Sequence, residues 1–251
     1  MGKNKWPKLI PELTDIQKQT RDDWMKFWHE QMPGKWYGII ENFNHGYPAR
    51  TNPFKDSTAK IRTLEIGAGL GDHIKYEDLS NQDYHCLEIR NNMAEVIRER
   101  FPEVKVTVGD IQKRTEFEDK SFDRIIAVHV LEHLPDLPSA LTEISRILKD
   151  DGVFQAVIPC EGGLAYGLAR QISSVRLFNK HFGERGVSYM WLMRKTEHVN
   201  TASEILYELS KNTPPPLRIL SYAYFPMRVP VISFNLCIGL TIKKAGLKNN
   251  K

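Results

Sequence analysis

The stretch that decides the fold is Leu64-Glu65-Ile66-Gly67-Ala68-Gly69-Leu70-Gly71-Asp72. Its first residues suit a buried strand, and its three glycines let the backbone turn sharply and approach a ligand without an intervening Cβ atom. The spacing is Gly-x-Gly-x-Gly, whereas dinucleotide-binding loops read Gly-x-Gly-x-x-Gly. The stretch therefore predicts a strand, a ligand-binding loop and then a helix over residues 70–79 whose N-terminus points at the loop.

Beyond this loop, short β-rich runs alternate with helical runs, which is typical of a parallel sheet with crossover helices. Two further runs near the C-terminus are so close in sequence that they must pair as antiparallel neighbours. Strands are predicted at residues 62–66, 84–88, 104–108, 122–128, 153–158, 217–225 and 232–242. Helices are predicted at residues 91–101, 137–148 and 201–209, the last with Thr201 or Ser203 as its N-cap.

Two segments do not follow this alternation. Residues 1–55 carry four of the five tryptophans, and apolar spacing predicts helices there at residues 15–31 and 36–43. These aromatic side chains either pack the segment against the rest of the protein or form a lid over a pocket. Residues 161–200 include an amphipathic run at 164–178. The predicted division is an N-terminal helical lid at 1–55, a core at 56–160, an insertion at 161–200 and a C-terminal completion of the sheet at 201–251.

The net charge of the 251-residue chain is only +4, so a uniformly basic nucleic-acid-binding protein is disfavoured. The charge is uneven, because residues 1–60, 61–160 and 161–251 carry net charges of +3, −7 and +8. Either two parts of the molecule face different ligands, the later one anionic, or both are solvated faces of opposite sign. The basic side chains within the insertion are Arg170, Arg176, Lys180, Arg185, Arg194 and Lys195.

The cysteines and the apolar stretches indicate the cellular compartment of the protein and whether its cysteines bind a metal. Cys86, Cys160 and Cys237 lie far apart without metal-ligand spacing, so we predict reduced core residues and no metal site. The N-terminus lacks the apolar run of a signal peptide. Prolines and an arginine interrupt the most apolar stretch, residues 222–242. We therefore expect a cytoplasmic protein without a transmembrane segment, of undetermined oligomeric state.

Acidic residues lie at the ends of the next two predicted strands. Glu88 closes the second strand, where a carboxylate can accept hydrogen bonds from a ribose diol. Asp110 follows the third strand, where it can accept from an adenine amino group while Ile111 packs on the ring. Their agreement with the glycine loop favours one nucleoside-bearing ligand over unrelated helix caps or solvated charges.

Together these residues resemble the class I S-adenosylmethionine-dependent methyltransferases, in the small-molecule branch whose loop reads Glu-x-Gly-x-Gly-x-Gly. The fourth-strand region is similar to the same branch, with Phe117-Glu118-Asp119-Lys120-Ser121-Phe122-Asp123 followed by His129-Val130-Leu131-Glu132-His133-Leu134. The resemblance covers residues 61–160. It implies a doubly wound, seven-stranded, mostly parallel α/β sheet of the Rossmann-like class I methyltransferase fold, with the helical lid before it and a helical, substrate-side insertion after the fifth strand.

The resemblance also implies S-adenosylmethionine as the cofactor and a small-molecule methyl acceptor. The cofactor-binding residues that it implies are Glu65, Gly67, Ala68 and Gly69 around the methionine part, Glu88 and Ile89 at the ribose, Asp110 and Ile111 at the adenine, and His129 near the sulfonium. Methyl transfer is an in-line displacement, and a base matters when the acceptor is a hydroxyl or an ammonium group. The candidates for that base are His129, His133, His198 and Glu161.

The basic insertion leads to a hypothesis about the acceptor, because arginine pairs well with phosphate or carboxylate. The first hypothesis is O- or N-methylation of a sugar, a nucleotide-sugar or a surface-glycan precursor. The second is a lipid or quinone-like acceptor, reached through the amphipathic run and the tryptophans. A cofactor-binding module without catalysis is disfavoured because the loop is complete, and RNA methylation because no RNA-binding motif is recognised.

Overall fold

A computed structural model describes residues 6–31, 35–211 and 217–244 of the chain. The centre of the described structure is one sheet of seven strands. In chain order the strands are β1 Ile61–Ile66, β2 Gln82–Glu88, β3 Lys105–Val108, β4 Phe122–Val128, β5 Leu148–Pro159, β6 Leu217–Phe225 and β7 Cys237–Lys244. β1, β2, β4 and β5 are buried along most of their length, as expected for parallel strands covered on both faces.

The strand order is β3-β2-β1-β4-β5-β7-β6. β1 to β5 run parallel, and β7 is antiparallel to both of its neighbours. The predicted fold class is confirmed, since this is a doubly wound, mostly parallel α/β sheet with an antiparallel C-terminal pair. The chain changes direction across the sheet between β1 and β4, and open α/β sheets bind ligands at such a switch point, outside the carboxyl ends of the strands.

Helices cover both faces of the sheet. They are α1 Asp15–Gln31, α2 Lys35–Asn44, α3 Gly46–Arg50, α4 Asn91–Arg100, α5 Leu137–Ile147, α6 Leu164–Arg170, α7 Arg176–Phe182, α8 Tyr189–Leu192 and α9 Ala202–Ser210. α1 has the predicted bounds. α9 begins with a capping box, in which the side chains of Thr201 and Glu204 accept from each other's backbone amides, so the predicted Thr201 cap is confirmed.

The helix predicted over residues 70–79 is wrong. The backbone forms turns there, with single 3-10 turns at Ile74–Tyr76 and Leu79–Asn81. Gly71 adopts a φ of +78°, which a right-handed helix cannot continue. Glu77 enters a buried ion pair with Arg124 of β4, whose guanidinium lies 2.6 Å from its carboxylate. A contact distant in sequence thus overrides the local helical preference.

The last predicted strand starts later than expected. β7 begins at Cys237, and Ile232–Phe234 forms a 3-10 turn before it. The buried side chain of Asn235 donates to the carbonyls of Val229 and Val231 at 2.9 Å each. This amide closes the loop between β6 and β7, so the chain can join the sheet only after it.

Two hydrophobic layers hold the helices on the sheet. On one face, Ile125 of β4 packs with Ile144 of α5 and Ile205 of α9, and all three are fully buried. On the other face, Ile97 of α4 packs with Tyr84 of β2. These layers leave the carboxyl ends of the strands as the exposed polar edge of the core.

The N-terminal helices pack against two different parts of the protein. Trp24 of α1 is 2% exposed and lies edge-on against Phe178 and Tyr189, with ring centroids 5.4 and 5.5 Å away. Tyr47 of α3 lies over β7, where its hydroxyl is 2.8 Å from Thr241 Oγ1. Trp24 therefore packs this segment against the insertion. The side chain of Trp36 lies outside the described residues, and the predicted domain boundaries remain predictions.

The amphipathic run of the insertion has an unexpected orientation. α6 and α7 form one continuous helix through a π-helical stretch at Gln171–Val175. Its apolar stripe faces outward, because Leu164, Leu168 and Ile172 are 75%, 65% and 69% exposed. Within the described ranges, no helix combines the length and the apolar character needed to cross a membrane.

Candidate active site

Three of the predicted strand-end groups are held together by hydrogen bonds. The amide of Gly67 donates to the carbonyl of Leu87 at 2.7 Å. The amide of Gly69 donates to Glu88 Oε2 at 2.9 Å, and the amide of Gly109 donates to the carbonyl of Glu88 at 3.1 Å. The glycine loop after β1, the end of β2 and the turn after β3 therefore form one continuous edge, as the sequence predicts.

The glycine loop requires glycine for two different reasons. Gly67 and Gly69 have φ values of +64° and +57°, in the left-handed region that other residues rarely adopt. A Cβ atom on Gly67 would lie 2.7 Å from Val130 Cγ2, whereas a Cβ atom on Gly69 would meet no atom within 4 Å. Gly69 thus borders open space at the edge of the sheet, where a ligand can approach the backbone.

The residues next to the loop have the chemistry that a nucleoside requires. The buried Glu88 accepts from the amides of Gly69 and Arg90, and its two oxygens retain lone pairs for hydroxyl donors. Ile89 follows it and is 59% exposed, which leaves an apolar surface at the same edge. Asp110 Oδ1 accepts from the amide of Gln112 at 2.9 Å. These groups fit the ribose and adenine of S-adenosylmethionine.

Two of the predicted cofactor residues are buried. Ile111 is 4% exposed and packs in the main core, so any ring that it contacts lies on an apolar floor. Glu65 lies beneath the glycine loop, where it accepts from the hydroxyl of Tyr84 at 2.9 Å. Burial raises the pKa of Glu65 to about 8, although the Tyr84 hydrogen bond opposes this rise. A neutral Glu65 carboxyl can donate as well as accept a hydrogen bond.

The four predicted bases lie in one polar cluster beyond the ends of β4 and β5. His129 and His133 follow β4, Glu161 follows β5, and His198 comes from the end of the insertion. Asn200 holds these segments together, because its amide group donates to the carbonyls of Leu131 and Leu134 at 2.8 Å each. The structure thus brings together candidates that are up to 69 residues apart in sequence.

The first histidine of this cluster is paired with a buried carboxylate. His129 Nδ1 lies 2.9 Å from Glu132 Oε1, and the Glu132 side chain is fully buried. Burial opposes a charge on His129, but Cys237 and Glu132 favour it, so the pKa of His129 is well above its ordinary value. Burial likewise opposes a charge on Glu132, yet His129 lowers the pKa of Glu132 to about 2. A protonated His129 is poorly suited to accept a proton.

The other two histidines face each other. The ring centroids of His133 and His198 are 5.0 Å apart, with the rings nearly perpendicular. Burial lowers the pKa of His133 to about 4, so this imidazole is neutral near pH 7. His198 Nδ1 lies 3.2 Å from Glu161 Oε2, and Arg170 binds the same carboxylate. Either histidine has the chemistry of a general base.

Sequence reasoning missed several residues that build this cluster. Glu132 and Glu197 flank the histidines, and Arg170 and Tyr166 hold Glu161 from the insertion. Arg170 is only 6% exposed, although its charge predicts a surface position. The signal for Glu132 is its place within Leu131-Glu132-His133, but sequence alone does not show that its carboxylate points into the protein.

A cleft of about 440 Å³ opens next to this cluster. Glu161 and His198 line its floor, and Arg194, Lys195 and Lys8 line its sides. Lys8 is engaged, because its Nζ lies 2.7 Å from Glu204 Oε1. The cleft is therefore lined by basic groups beside two of the candidate bases.

The predicted basic cluster of the insertion does not form one surface. Arg170 is buried against Glu161, and Arg185 pairs with Asp23 of α1 at 2.7 Å. Arg194 and Lys195 are the members that line the cleft. Two of the six predicted basic residues are thus engaged in internal ion pairs, because Asp23 of α1 and Glu161 supply carboxylates that the sequence pattern does not reveal.

Solved structures share this architecture. The PH0226 protein from Pyrococcus horikoshii is 15% identical and has a TM-score of 0.59, over 87% of this chain and 96% of that one. The CurJ carbon methyltransferase has a TM-score of 0.56 at 16% identity, over 81% of this chain and 54% of that one. The [4+2]-cyclase SpnF has a TM-score of 0.58 at 14% identity, over 92% and 93%. The fold is the class I methyltransferase fold, and SpnF illustrates that a fold alone does not fix a reaction.

Sequence relatives match part of the chain. Residues 64–156 match the family described as the methyltransferase domain. Sterol 4-C-methyltransferase strm-1 of Caenorhabditis elegans is 32% identical over 104 residues, which are 38% of this chain and 30% of that protein. Demethylmenaquinone methyltransferase of Leptospira interrogans is 28% identical over 102 residues, 38% of this chain and 41% of that protein. Residues 64–156 are therefore similar to a methyltransferase domain, and the match spans less than half of each of these two relatives.

Proposed function

We propose that the protein transfers the methyl group of S-adenosylmethionine to a small-molecule acceptor. The observation that carries the proposal is the strand-end edge, where Glu88 is hydrogen-bonded to a glycine loop that borders open space. The bound cofactor supplies an electrophilic methyl group on a sulfonium. The acceptor atom forms a bond to this methyl carbon, the S–CH₃ bond breaks with its electron pair on sulfur, and the acceptor proton leaves to a base or to water.

The cofactor residues follow from their places along this edge. Glu88 and Ile89 would contact the ribose, and Asp110 and Ile111 the adenine. The loop from Gly67 to Gly69, supported by Glu65, would hold the methionine part. His129, which follows β4, would lie near the sulfonium. Its charge is balanced by Glu132, so it positions the end of β4 rather than taking a proton.

The general base in this proposal is His198, supported by Glu161. Both line the cleft, so they can touch an acceptor there. His198 Nδ1 lies 3.2 Å from Glu161 Oε2 and 3.1 Å from Arg170 Nη2, and the proposal requires the tautomer in which Nδ1 donates to Glu161. A carboxylate on one ring nitrogen orients the imidazole and stabilises the imidazolium that forms when the other nitrogen accepts a proton. His133 is the alternative base, because it is neutral near pH 7 and lies in contact with the ring of His198.

The proposed acceptor carries an anionic group, because Arg194 and Lys195 line the cleft beside His198. The narrower hypothesis of a sugar, nucleotide-sugar or surface-glycan precursor rests on these basic side chains alone. The relatives reported above act, by their names, on sterols and demethylmenaquinone.

Removing the charges of Arg194 and Lys195 tests whether the acceptor carries an anionic group. We expect Arg194→Ala/Lys195→Ala to raise the KM for the acceptor by about 10-fold or more while kcat changes little, since each lost charged hydrogen bond costs about 1.5–3 kcal/mol. The measurement is methyl transfer from labelled S-adenosylmethionine to the small molecules of a cell extract that bind an anion-exchange resin. Arg176→Ala/Lys180→Ala removes the same charge from the exposed face of α7 and serves as the control. Equal kinetics for the two double variants would reject the anionic acceptor.

A second candidate acceptor is lipid or quinone-like. The outward-facing Leu164, Leu168 and Ile172 favour it, because such a stripe suits the surface of a membrane. The chain also contains no acidic residue after Glu208, which suits an anionic lipid surface.

Vesicle flotation separates the two candidates. A lipid acceptor predicts that the protein floats with phosphatidylglycerol vesicles and that Leu168→Ser/Ile172→Ser abolishes flotation. Leu9→Ser/Ile39→Ser changes two other exposed apolar side chains, 94% and 53% exposed, and should float like the unmodified protein. Absence of the unmodified protein from the vesicle fraction would count against a membrane-borne acceptor.

A further inference from the structure

The polar cluster beyond β4 contains three groups that together have the composition of a metal site. Glu132, His133 and His198 each present one ligand atom within 4.8 Å of those of the other two. Glu132 and His133 come from the turn after β4, while His198 comes from the far end of the insertion, so the fold itself brings them together. The carboxylate and the two imidazoles form a nitrogen and oxygen donor set that suits Zn²⁺ and similar divalent ions.

The Glu132 carboxylate is buried and uses only one of its oxygens among the residues that the structure describes. His129 uses Oε1 of Glu132, while Oε2 is buried and has no hydrogen-bond partner among the residues that the structure describes. A buried carboxylate oxygen without a donor is costly, and a cation would satisfy it.

The surroundings of the two imidazoles provide an independent observation. Histidines that bind a metal with one ring nitrogen usually present the other to a carboxylate or a carbonyl. His198 Nδ1 lies 3.2 Å from Glu161 and 3.1 Å from Arg170 Nη2, and His133 Nδ1 lies 3.8 Å from Glu197. His133 Nε2 points instead toward Glu132, 4.0 Å from Oε1. Each ring thus has a carboxylate on its outer side.

The dimensions of the cluster are close to those of a first-row divalent ion site. At bond lengths of about 2.0–2.2 Å, two ligand atoms of a tetrahedral ion are about 3.3–3.6 Å apart. The three ligand atoms all lie within 4.8 Å of one another, so side-chain movements of about 1 Å would close the set. Three protein ligands leave an open position, which is the arrangement of catalytic rather than structural zinc sites.

We propose that Glu132, His133 and His198 bind one divalent cation, Zn²⁺ by preference, beside the acceptor cleft that His198 lines. Cation binding does not depend on the proposed function, but its role rests on it. With the cation bound, neither histidine accepts a proton: the open position would hold an oxygen of the acceptor and lower the pKa of its hydroxyl, whose proton then leaves to water. In that case Glu161 and Glu197 are the groups that orient the two imidazoles.

Cobalt binding tests the site without reference to activity. Tag-free protein is treated with a chelator, desalted and titrated with Co²⁺ and then Zn²⁺, with the visible absorption of Co²⁺ as the readout. We expect one Co²⁺ per chain with nitrogen and oxygen ligands, displaced by Zn²⁺. His133→Ala and His198→Ala should each weaken binding by about 10-fold or more. His181→Ala alters an exposed histidine of α7 and should bind like the unmodified protein.

The outcomes separate this inference from the proposed function. Circular dichroism and S-adenosylmethionine binding show whether each variant is folded, and Glu132→Gln is a near-isosteric third variant in case a histidine variant fails to fold. No Co²⁺ binding by the unmodified protein, or binding that these variants leave unchanged, would overturn the cation site. If the cofactor still binds in that case, the proposed function stands without the cation.

Discussion

Replacing Glu88 with glutamine is expected to weaken S-adenosylmethionine binding by about 10- to 100-fold, because a hydrogen bond to a charged group contributes about 1.5–3 kcal/mol. Glutamine keeps the size of the side chain but replaces one acceptor oxygen with a donor. In the structure, Oε2 of Glu88 accepts from the amide of Gly69, and Oε1 accepts from the amide of Arg90. The variant therefore loses one of these bonds as well as a ribose acceptor.

The measurement is the calorimetric Kd for S-adenosylmethionine, taken together with the free energy of unfolding without ligand. Glu103→Gln provides the control, since Glu103 is an exposed carboxylate between α4 and β3. We expect its Kd to remain within about twofold of the unmodified value, the range of surface substitutions. A Glu88→Gln protein that binds the cofactor as tightly as this control would remove Glu88 from the cofactor site.

Replacing Arg124 with methionine is expected to lower the free energy of unfolding by about 3–5 kcal/mol, because breaking a buried ion pair leaves an uncompensated charge. Arg124 is fully buried. Its guanidinium lies 2.6 Å from Glu77 Oε2, donates to Gln155 Oε1 at 2.6 Å and donates to the carbonyl of Pro48 at 2.8 Å. It thus links the N-terminal segment, the turn after the glycine loop and two strands.

Urea denaturation measures this loss, and Arg114→Met provides the control because that side chain is 74% exposed. The control should change stability by less than about 0.5 kcal/mol. The double variant Glu77→Gln/Arg124→Met removes both charges and should be more stable than Arg124→Met alone. If Arg124→Met matched its exposed control, the buried pair would not stabilise the fold.

The ion pair of Glu77 and Arg124 predicts that the free energy of unfolding depends on pH. Burial would raise the pKa of Glu77, but hydrogen bonds from His73 and Arg124 hold it far below its ordinary value of 4.5. A carboxyl whose pKa is depressed in the folded state contributes its full stability above about pH 4.5, and this contribution is lost as the pH falls further. The free energy of unfolding, measured by urea denaturation, should therefore fall less at low pH in Glu77→Gln/Arg124→Met than in the unmodified protein.

Much of the core was predictable because its signals are local. Short β-rich runs that alternate with helical runs mark the parallel strands, and the three glycines mark the sharp turn after β1. Glu88 and Asp110 lie at strand ends, and parallel strands bring their carboxyl ends to one edge by geometry alone. The position of the proposed cofactor site therefore follows from element order, without any side-chain detail.

The acceptor side was less predictable because contacts distant in sequence build it. Asn200 bonds carbonyls near residue 131, and Arg170 turns inward to Glu161 instead of toward an anionic ligand. The same kind of contact explains why the helix predicted after the glycine loop does not form, since Glu77 of this segment pairs with Arg124 of β4. Charge and helical spacing describe one segment at a time, so neither shows which carboxylate of another segment will neutralise a basic residue.

The central claim is that the edge formed by the glycine loop, Glu88 and Asp110 binds S-adenosylmethionine. Its most direct test is isothermal titration of the purified chain with S-adenosylmethionine and, in parallel, with NAD. We predict one S-adenosylmethionine bound per chain, competition by S-adenosylhomocysteine and no heat of binding for NAD. A chain that is folded by circular dichroism but binds no S-adenosylmethionine at millimolar concentration, or that prefers NAD, would contradict the account.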